Sequence, residues 1–336
     1  MVTRYWPRLR GHWVFLAIWI GCTSDTQAEW LARTGVNAYY TDDVTLFSVT
    51  RRLSLKDDPT QPMVDRPRQG GDFVYEPNGE LEWSTHNAWG ETSLSLDAGA
   101  YVFTNRTAFT HSLYEFQFSQ SFESGTKFSV LYNLVPDLFL GQNEFMGIIG
   151  TRSEHDEKLT NHYWSMHLDQ VLTDHLTVRL LGRYGLRNYE KPFQHRDTRF
   201  FTVGPHLEWA ITPDVEVLLG YHYEHGVASQ WKASHFPDDV SYINHYASSE
   251  LKWRVMQRLT AILIFDFEKN DFTTHDKLVD HYLAVETVYQ GEIELLYALS
   301  DSTLVKLGWQ HGSRTLTTEP ESIKNNNVWI GLDYIF

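Results

Sequence analysis

The stretch HLTVRLLGRYGLRN, residues 175–188, decides the fold because its side chains alternate in character along the chain. One set of alternate positions is apolar (Leu176, Val178, Leu180, Tyr184 and Leu186), and the other is polar (Thr177, Arg179, Arg183 and Arg187). A period of two predicts a β-strand with one apolar and one polar face. The run is more than twice as long as a soluble strand of about five or six residues. It also exceeds the roughly nine to eleven residues that a tilted strand needs to cross a membrane.

The same alternation recurs along most of the chain and predicts fourteen strands. They cover residues 36–49, 72–86, 91–104, 112–123, 126–137, 161–172, 175–188, 197–211, 214–225, 240–255, 257–269, 281–299, 303–313 and 325–336. The connections between strands alternate in length. Short ones include Ser124-Gly125 and the single residue Met256, and long ones include 50–71 and 138–160. Short turns at one end and long loops at the other are typical of transmembrane barrels, whose closed sheet pairs every backbone group.

Composition excludes several other classes of protein. The 336 residues include 28 Lys and Arg, 43 Asp and Glu and one Cys, which gives a net charge of −15. An acidic chain does not fit a nucleic-acid partner, one Cys cannot form a disulfide framework, and no apolar run after the N-terminus reaches the roughly 20 residues of a membrane helix. Because 42% of the residues are hydrophobic and 15% are aromatic, the chain has enough apolar surface to fold.

The N-terminus has the pattern of a secretory signal. Arg4, Arg8 and Arg10 precede the apolar run 13–20, and Thr26-Gln27-Ala28 is an acceptable cleavage site. We therefore expect residues 1–28 to be a signal peptide, removed near Ala28, and residues 29–336 to form a single barrel domain. The alternative is acylation at Cys22, because Ile20-Gly21-Cys22 resembles the end of a bacterial lipoprotein signal.

The last strand carries a resemblance to a known class. Val328, Ile330, Leu332, Tyr334 and Phe336 share one face, and the segment 331–336 resembles the C-terminal insertion signal of bacterial outer-membrane barrels, although Trp329 stands where that pattern has a polar residue. The resemblance implies an all-β, antiparallel, up-and-down barrel in a Gram-negative outer membrane. It also implies contact with outer-membrane lipid and lipopolysaccharide, and recognition of the strand ending at Phe336 by the barrel-assembly machinery.

In such a barrel the polar faces of the strands line the lumen. Parity assigns to the lumen Arg179, Arg183, Arg187, His167, Asp169, His206, Glu208, Glu216, His222, Glu224, Arg258, Asp266, Glu268, Glu286, Glu292 and Glu294. Basic residues follow one strand, and acidic residues cluster on the strands 257–269 and 281–299, which predicts a transverse field across a pore. The favoured function is a porin-like channel that passes small polar or ionic solutes by diffusion, with a weak preference for cations. The alternative is a plugged barrel with a structural, adhesion or export role.

Three local features carry further expectations. The loop 138–160 is too apolar for a free surface loop, so it either folds into the barrel mouth or lies on the membrane, whereas the charged loop 50–71 is expected to be solvated. Pro205 lies inside a predicted strand, where its missing N–H predicts a bulge or kink.

One motif suggests chemistry on the lipid-facing surface. By parity His311 and Ser313 face lipid, and so does Asn326 on the next strand. This set resembles the Asn-His-Ser arrangement of the outer-membrane phospholipase A family, which implies a lipid ester hydrolase as an alternative function. The family's longer motif is absent, and its usual strand count is twelve. His222 and Glu224 share a lumen face, as do His167 and Asp169, but two ligands on one strand do not make a metal site without a third, so we expect neither a metal nor a cofactor.

Overall fold

The computed structural model describes residues 28–44, 47, 70–146, 152–229, 239–274, 282–319 and 321–336. Residues 1–27 of the predicted signal, including Cys22, and most of the loop 50–71 lie outside these residues. The strands are β1 (Ala28–Thr41), β2 (Asp72–Asn87), β3 (Gly90–Phe103), β4 (His111–Phe122), β5 (Thr126–Met146), β6 (Arg152–Thr173), β7 (Leu176–Tyr189), β8 (Thr198–Thr212), β9 (Val215–Ala228), β10 (Tyr242–Met256), β11 (Leu259–Phe272), β12 (Val285–Ala298), β13 (Thr303–Leu316) and β14 (Ile323–Ile335). Single 3₁₀ turns occur at Thr107–Phe109 and Gln194–Arg196.

Each strand pairs with the next, and β1 pairs with β14 to close the barrel. The closing pair is antiparallel, with Val36 opposite Leu332 and Tyr39 opposite Trp329. This confirms the prediction of a fourteen-stranded antiparallel barrel. Closure leaves no strand edge unpaired, which is the condition for a sheet to cross a bilayer.

The outer surface of the barrel is apolar along the middle of the strands. Large side chains there are strongly exposed, among them Leu180 at 58%, Phe265 at 51% and Ile330 at 59%. Trp83 also faces outward, and other exposed aromatics lie near the strand ends, as expected for interfacial girdles: Trp30, Trp89, Trp209, Trp253 and Phe336. Among the described residues, no helix is both long and apolar enough to span a membrane.

The first strand differs from the prediction of 36–49. It begins at Ala28 and ends at Thr41, after which the chain leaves the sheet. Val44 and Phe47 are then buried at 0% and 1% exposure, in a cluster with Tyr39 and Trp329. Because these residues gain more apolar contact inside the barrel mouth than on a strand extension, the start of the first long loop folds inward.

The segment predicted as the loop 138–160 is largely strand. β5 and β6 pair as far as Met146 and Arg152, so the hairpin projects beyond its neighbours, and only 147–151 lies outside the described residues. The register shifts twice near Asp137 and Gly141, both with positive φ, at 51° and 132°. These shifts turn Leu138 and Leu140 into a buried cluster with Tyr189 and Phe193. Apolar residues from this segment therefore pack at the mouth, although the backbone does not fold into the lumen as a loop.

Pro205 does not produce the predicted bulge. Val203 pairs with Tyr223 and His206 with Gly220, so the β8–β9 register is the same on both sides of a two-residue gap. The side chain faces outward, and on the other side Pro205 stays in register with Leu180. At Gly204 and Pro205, β8 therefore does not pair with β9, which accommodates the missing N–H of the proline. No extra residue is inserted in either strand.

Candidate functional site: the barrel lumen

The lumen has two halves of different character. At the short-turn end many inward side chains are charged and partly exposed, and we call this half the vestibule, although one part of its wall is closed by the buried apolar cluster of Ile262, Leu296 and Leu304. Its residues include Arg33, Glu80, Glu82, Lys127, Asp169, Arg179, Glu208, Glu216, Lys252, Glu292 and Glu294. At the long-loop end the inward side chains are almost all below 10% exposure, and we call this the packed half. Its residues include Tyr39, Arg187, Thr202, Glu224, Tyr242, Glu268 and Asn325.

The arginines of β7 form a row that runs from the vestibule into the packed half. Arg179 donates to Asp169 on β6, with Nη2 2.7 Å from Oδ2. Arg183 donates from Nε to Ser165 at 3.1 Å and covers the Tyr163 ring at 4.5 Å. Arg187 bonds the Tyr242 hydroxyl, lies 3.6 Å from Glu224 and covers Phe200. The row faces inward, but each guanidinium is engaged by neighbouring strands.

The acidic residues of β11 and β12 also face inward and have local donors. Asp266 accepts from the Tyr246 hydroxyl at 2.6 Å and from Gln290, and Glu268 accepts from Asn244 at 2.7 Å. Further along the wall, Glu286 pairs with Arg314, Glu292 with Gln310 and Glu294 with the Trp329 indole. Arginines are concentrated on β7 and carboxylates on β11 and β12, but Asp169 lies beside Arg179 and Arg314 beside Glu286, so charges of both signs occur on each wall.

Three inward histidines lie between the two walls. His206 and His222 contact each other through their Nε2 atoms at 2.7 Å, with exposures of 4% and 0%. His167 is inward and partly exposed, on the same strand as Asp169. Glu224 follows His222 in the packed half, where Thr202 and Tyr242 donate to it. In the described part of the chain, no group of three His, Cys, Asp or Glu side chains is arranged to hold a metal ion.

Arg258 does not line the lumen. β10 extends to Met256 and β11 begins at Leu259, so Arg258 lies in the turn between them and is exposed. The prediction placed a one-residue connection at Met256, which is too short to reverse an antiparallel pair. The turn therefore uses Gln257 and Arg258, and the charge points to solvent at the short-turn end.

Aromatic residues inside the lumen were not predicted. Phe200, Tyr242 and Trp329 each lie over a glycine directly opposite in register: Gly185, Gly226 and Gly308. A Cβ at any of these glycines would overlap the aromatic ring. The missing Cβ lets each large ring lie flat against the wall. An inward glycine opposite an aromatic is the signal that could have identified them from the sequence.

At the mouth of the packed half, the connection between β7 and β8 packs against the projecting β5–β6 hairpin. Arg196 donates to the buried Glu157 of the projecting hairpin at 2.8 Å, and Phe193 packs on Leu138 and Leu140. Next to them, burial raises the pKa of the Asp197 carboxyl, although the Tyr189 N–H donates to it at 2.7 Å and opposes the shift. These contacts cover the long-loop end of the lumen on the β5–β8 side.

On the outer surface the structure brings together two residues of the predicted catalytic set. His311 Nδ1 lies 2.9 Å from the Asn326 side-chain oxygen, directly across the β13–β14 pair. Asn326 donates in turn to Asp42, from its side chain at 3.0 Å and from its backbone N–H at 2.9 Å. Ser313 lies two positions further along the same outward face. The histidine is therefore oriented by a fixed amide, at the long-loop end of the lipid-facing surface.

Comparisons with known proteins support the fold. No family model and no curated protein matches the chain. Among solved structures, the chain is similar to the outer-membrane channel DcaP of Acinetobacter baumannii, with 9% identity, a TM-score of 0.53, and coverage of 94% of this chain and 99% of that one. The Vibrio cholerae outer-membrane protein OmpT, as a loop deletion mutant, gives 9% identity over 93% of this chain and 100% of that one, with a TM-score of 0.49. The chain has the fold of bacterial outer-membrane barrels.

Proposed function

We propose that the protein is an outer-membrane channel that passes small polar or ionic solutes by diffusion along its charged lumen. The observation that carries the proposal is the vestibule: rows of partly exposed charged side chains line the inside of a closed barrel whose outside is apolar. Burying charge inside a barrel without water is costly. A water-filled entrance lined by charge is what a solute pathway needs.

The packed half represents the closed part of this pathway. Its side chains come from the wall itself and from the start of the first loop, and they exclude water at residues such as Thr202 and Tyr246, both at 0% exposure. On the β9–β12 wall, Leu218, Tyr246 and Val288 form a buried apolar cluster where this half begins. Conduction therefore requires side chains of this half to separate, so we expect rare or brief openings in the resting state.

Selectivity in the vestibule favours cations in this proposal. Its acidic side chains outnumber its basic ones, and Glu208 and Glu216 are carried by strands next to the Arg179 wall. Charges at a solvated entrance bias the local ion concentration, more strongly at low salt. The sequence-based preference for cations thus stays a proposal, supported by the composition of the vestibule.

Planar-bilayer recording tests the channel. Purified, folded protein should give discrete conductance steps, and its reversal potential in a salt gradient should favour the cation. Complete absence of conductance at every voltage would contradict the channel and favour a plugged barrel with a structural, adhesion or export role. A folded state is checked by the change in gel mobility on heating that intact barrels show.

The cellular setting belongs to the same proposal. A signal cleaved near Ala28 would leave β1 almost whole for the barrel, and the exposed Phe336 at the end of β14 is available to the assembly machinery. Lipopolysaccharide would surround the long-loop end, and the vestibule would face the periplasm. A protease-protection assay on whole cells, with a tag in the 50–69 segment, should show that segment to be extracellular.

A second candidate function is lipid ester hydrolysis, and the His311–Asn326 hydrogen bond favours it. Asn326 orients the imidazole through Nδ1, so Nε2 is directed away to accept a proton from a nucleophile such as Ser313. Fatty-acid release should be lost in His311→Ala and Ser313→Ala but kept in Thr315→Ala, the next outward residue. Equal release, or none, in all four proteins would remove this candidate.

A further inference from the structure

The contact between His206 and His222 lies at the boundary between the two halves of the lumen. On β8, the next inward charge toward the vestibule is the partly exposed Glu208, whereas Thr202 on the other side is fully buried. On β9, Gly220 is partly exposed and Glu224 is fully buried. On β8 and β9 the imidazole pair therefore lies where the charged residues of the vestibule give way to buried polar side chains, and we call this level the closed layer. Leu218 on β9 is already buried slightly nearer the vestibule.

The geometry of the pair restricts its protonation. The two Nε2 atoms are 2.7 Å apart, and the rings are stacked with centroids at 5.0 Å. A hydrogen bond between two imidazole nitrogens needs a proton on one and a lone pair on the other. Once both nitrogens carry protons, the bond is lost and two cations face each other at contact distance. The closed geometry thus holds at most one proton between the rings.

The charges around the pair have both signs. Groups that face the pair from the packed strands are His167 and Asp169 on β6, Arg179 and Arg183 on β7, Glu208 on β8, Glu224 on β9, Tyr246 and Glu250 on β10, and Asp266 on β11. Three of the carboxylates are held in place by donors of the wall: Asp169 by Arg179, Glu224 by Thr202 and Tyr242, and Asp266 by Tyr246. The arginines remain cationic at every relevant pH. A doubly protonated pair would therefore be repelled from the closed position.

His222 links the pair to the contacts that fill the lumen. Its ring packs on Tyr246 at 5.4 Å, and Tyr246 both joins the cluster with Leu218 and Val288 and donates to Asp266. Movement of His222 away from His206 therefore removes one support of Tyr246, whose contacts hold the inward side chains of β9, β11 and β12 together at this level. Imidazole is the side chain whose charge changes in the range of pH 5 to 8.

We propose that the His206–His222 pair is a proton-sensitive latch that closes the packed half at neutral pH and releases it on acidification. The inference deepens the proposed channel function and rests on it. Falling pH should raise the open fraction roughly fivefold or more, the lower end of typical coupling between a switch and a conformational equilibrium. The latch would admit polar solutes from the vestibule side under acidic conditions.

Bilayer recording between about pH 7.5 and about pH 5.5 tests the latch. Wild type should open more at the lower pH, and His206→Gln and His222→Gln should lose this dependence, because glutamine keeps a hydrogen-bonding group but does not titrate. His225→Gln is the matched control, since His225 lies on the same strand and points outward. A conducting wild type without pH dependence, or glutamine variants that keep it, would overturn the latch and leave the channel intact.

Thiol labelling separates failure of the latch from failure of the channel. Thr202→Cys lies just inside the closed layer, and Glu208→Cys lies in the vestibule and corrects for the pH dependence of the reagent. A membrane-impermeant maleimide should label position 202 relative to position 208 faster at about pH 5.5 than at about pH 7.5. Faster labelling in a barrel that does not conduct would support the latch and contradict the channel. An unchanged ratio would overturn the latch.

Discussion

The vestibule and the packed half are built from the same strands with the same alternation, yet one admits water and the other excludes it. β7 shows the difference along a single row: the Arg179 side chain is 30% exposed, whereas that of Arg187 is 1% exposed. The aromatic rings of Phe200 and Tyr242 cover Arg187, whereas Arg179 is paired with Asp169 and has no ring over its guanidinium among the contacts of the described residues. Whether a barrel is open at a given level is thus decided by side-chain volume, not by strand number alone.

The largest expected effect is on stability, at the ion pair inside the packed half. Arg187→Ala would leave Glu224 buried without its cation, which costs about 3–5 kcal/mol of unfolding free energy. Arg179→Ala, in the vestibule, should cost about 1 kcal/mol or less, because water reaches both partners. Urea unfolding in lipid vesicles, followed by tryptophan fluorescence, measures both. Equal losses would show that the two halves do not differ in solvation.

The glycine beneath Trp329 gives the next effect in size. Gly308→Ala should destabilise the barrel by about 1–3 kcal/mol, because the new Cβ meets the indole in a packed environment. Gly291→Ala is the matched control, since nothing lies within 4 Å of a Cβ there, and it should stay within about 0.5 kcal/mol of wild type. The same unfolding assay applies. An unchanged unfolding free energy in Gly308→Ala would mean that the Trp329 ring does not lie flat on the wall.

Charge in the vestibule should have a smaller effect, on selectivity. The double variant Glu208→Gln, Glu216→Gln should reduce cation preference about twofold, since a screened charge contributes under about 1 kcal/mol. Glu268→Gln, in the packed half, should leave selectivity unchanged because water does not reach that side chain before opening. Reversal potentials at low salt provide the measurement. A larger change in selectivity from Glu268→Gln than from the double variant would show that the selective region lies in the packed half and not in the vestibule.

The smallest effect is expected outside the lumen, at the short-turn end. Arg254 pairs with Asp214 at the surface, and both side chains are more than half exposed, at 52% and 54%. Arg254→Ala should therefore change stability by no more than about 0.5 kcal/mol. Compared with the loss of unfolding free energy in Arg187→Ala, the loss in Arg254→Ala gives the lower limit for an ion pair of this barrel. A loss as large as that of Arg187→Ala would indicate that exposure does not control these ion pairs.

Local alternation predicts much of the fold but little of how the lumen is filled. The period of two identifies fourteen strands and places Arg183 and Asp266 inside and His311 outside, because these properties depend on neighbours one or two residues away. The end of β1 was missed because Val44 and Phe47 leave the sheet for contacts with Trp329, which is distant in sequence. Arg258 was misplaced because the pattern cannot say where a turn begins.

The candidate site shows the same limit. The inward histidines follow from parity, but the 2.7 Å contact of His206 with His222 depends on the register of two strands. The pairing of Arg179 with Asp169 likewise depends on register. The sequence alone therefore could not show which of the lumen charges are paired with a neighbour. For the outer surface, parity placed His311 and Asn326 on one face, and the register supplies the hydrogen bond between them.

Single-channel recording of wild type beside Tyr246→Ala tests the central claim most directly. Tyr246 packs inside the lumen with Leu218 and Val288 where the packed half begins, so its truncation should loosen the closed layer and raise the mean conductance several-fold over a wild type that opens rarely. Tyr221→Ala, on the outer face, should behave as wild type. If folded wild type and folded Tyr246→Ala both fail to conduct at every voltage, the lumen is not a pathway and the account is wrong.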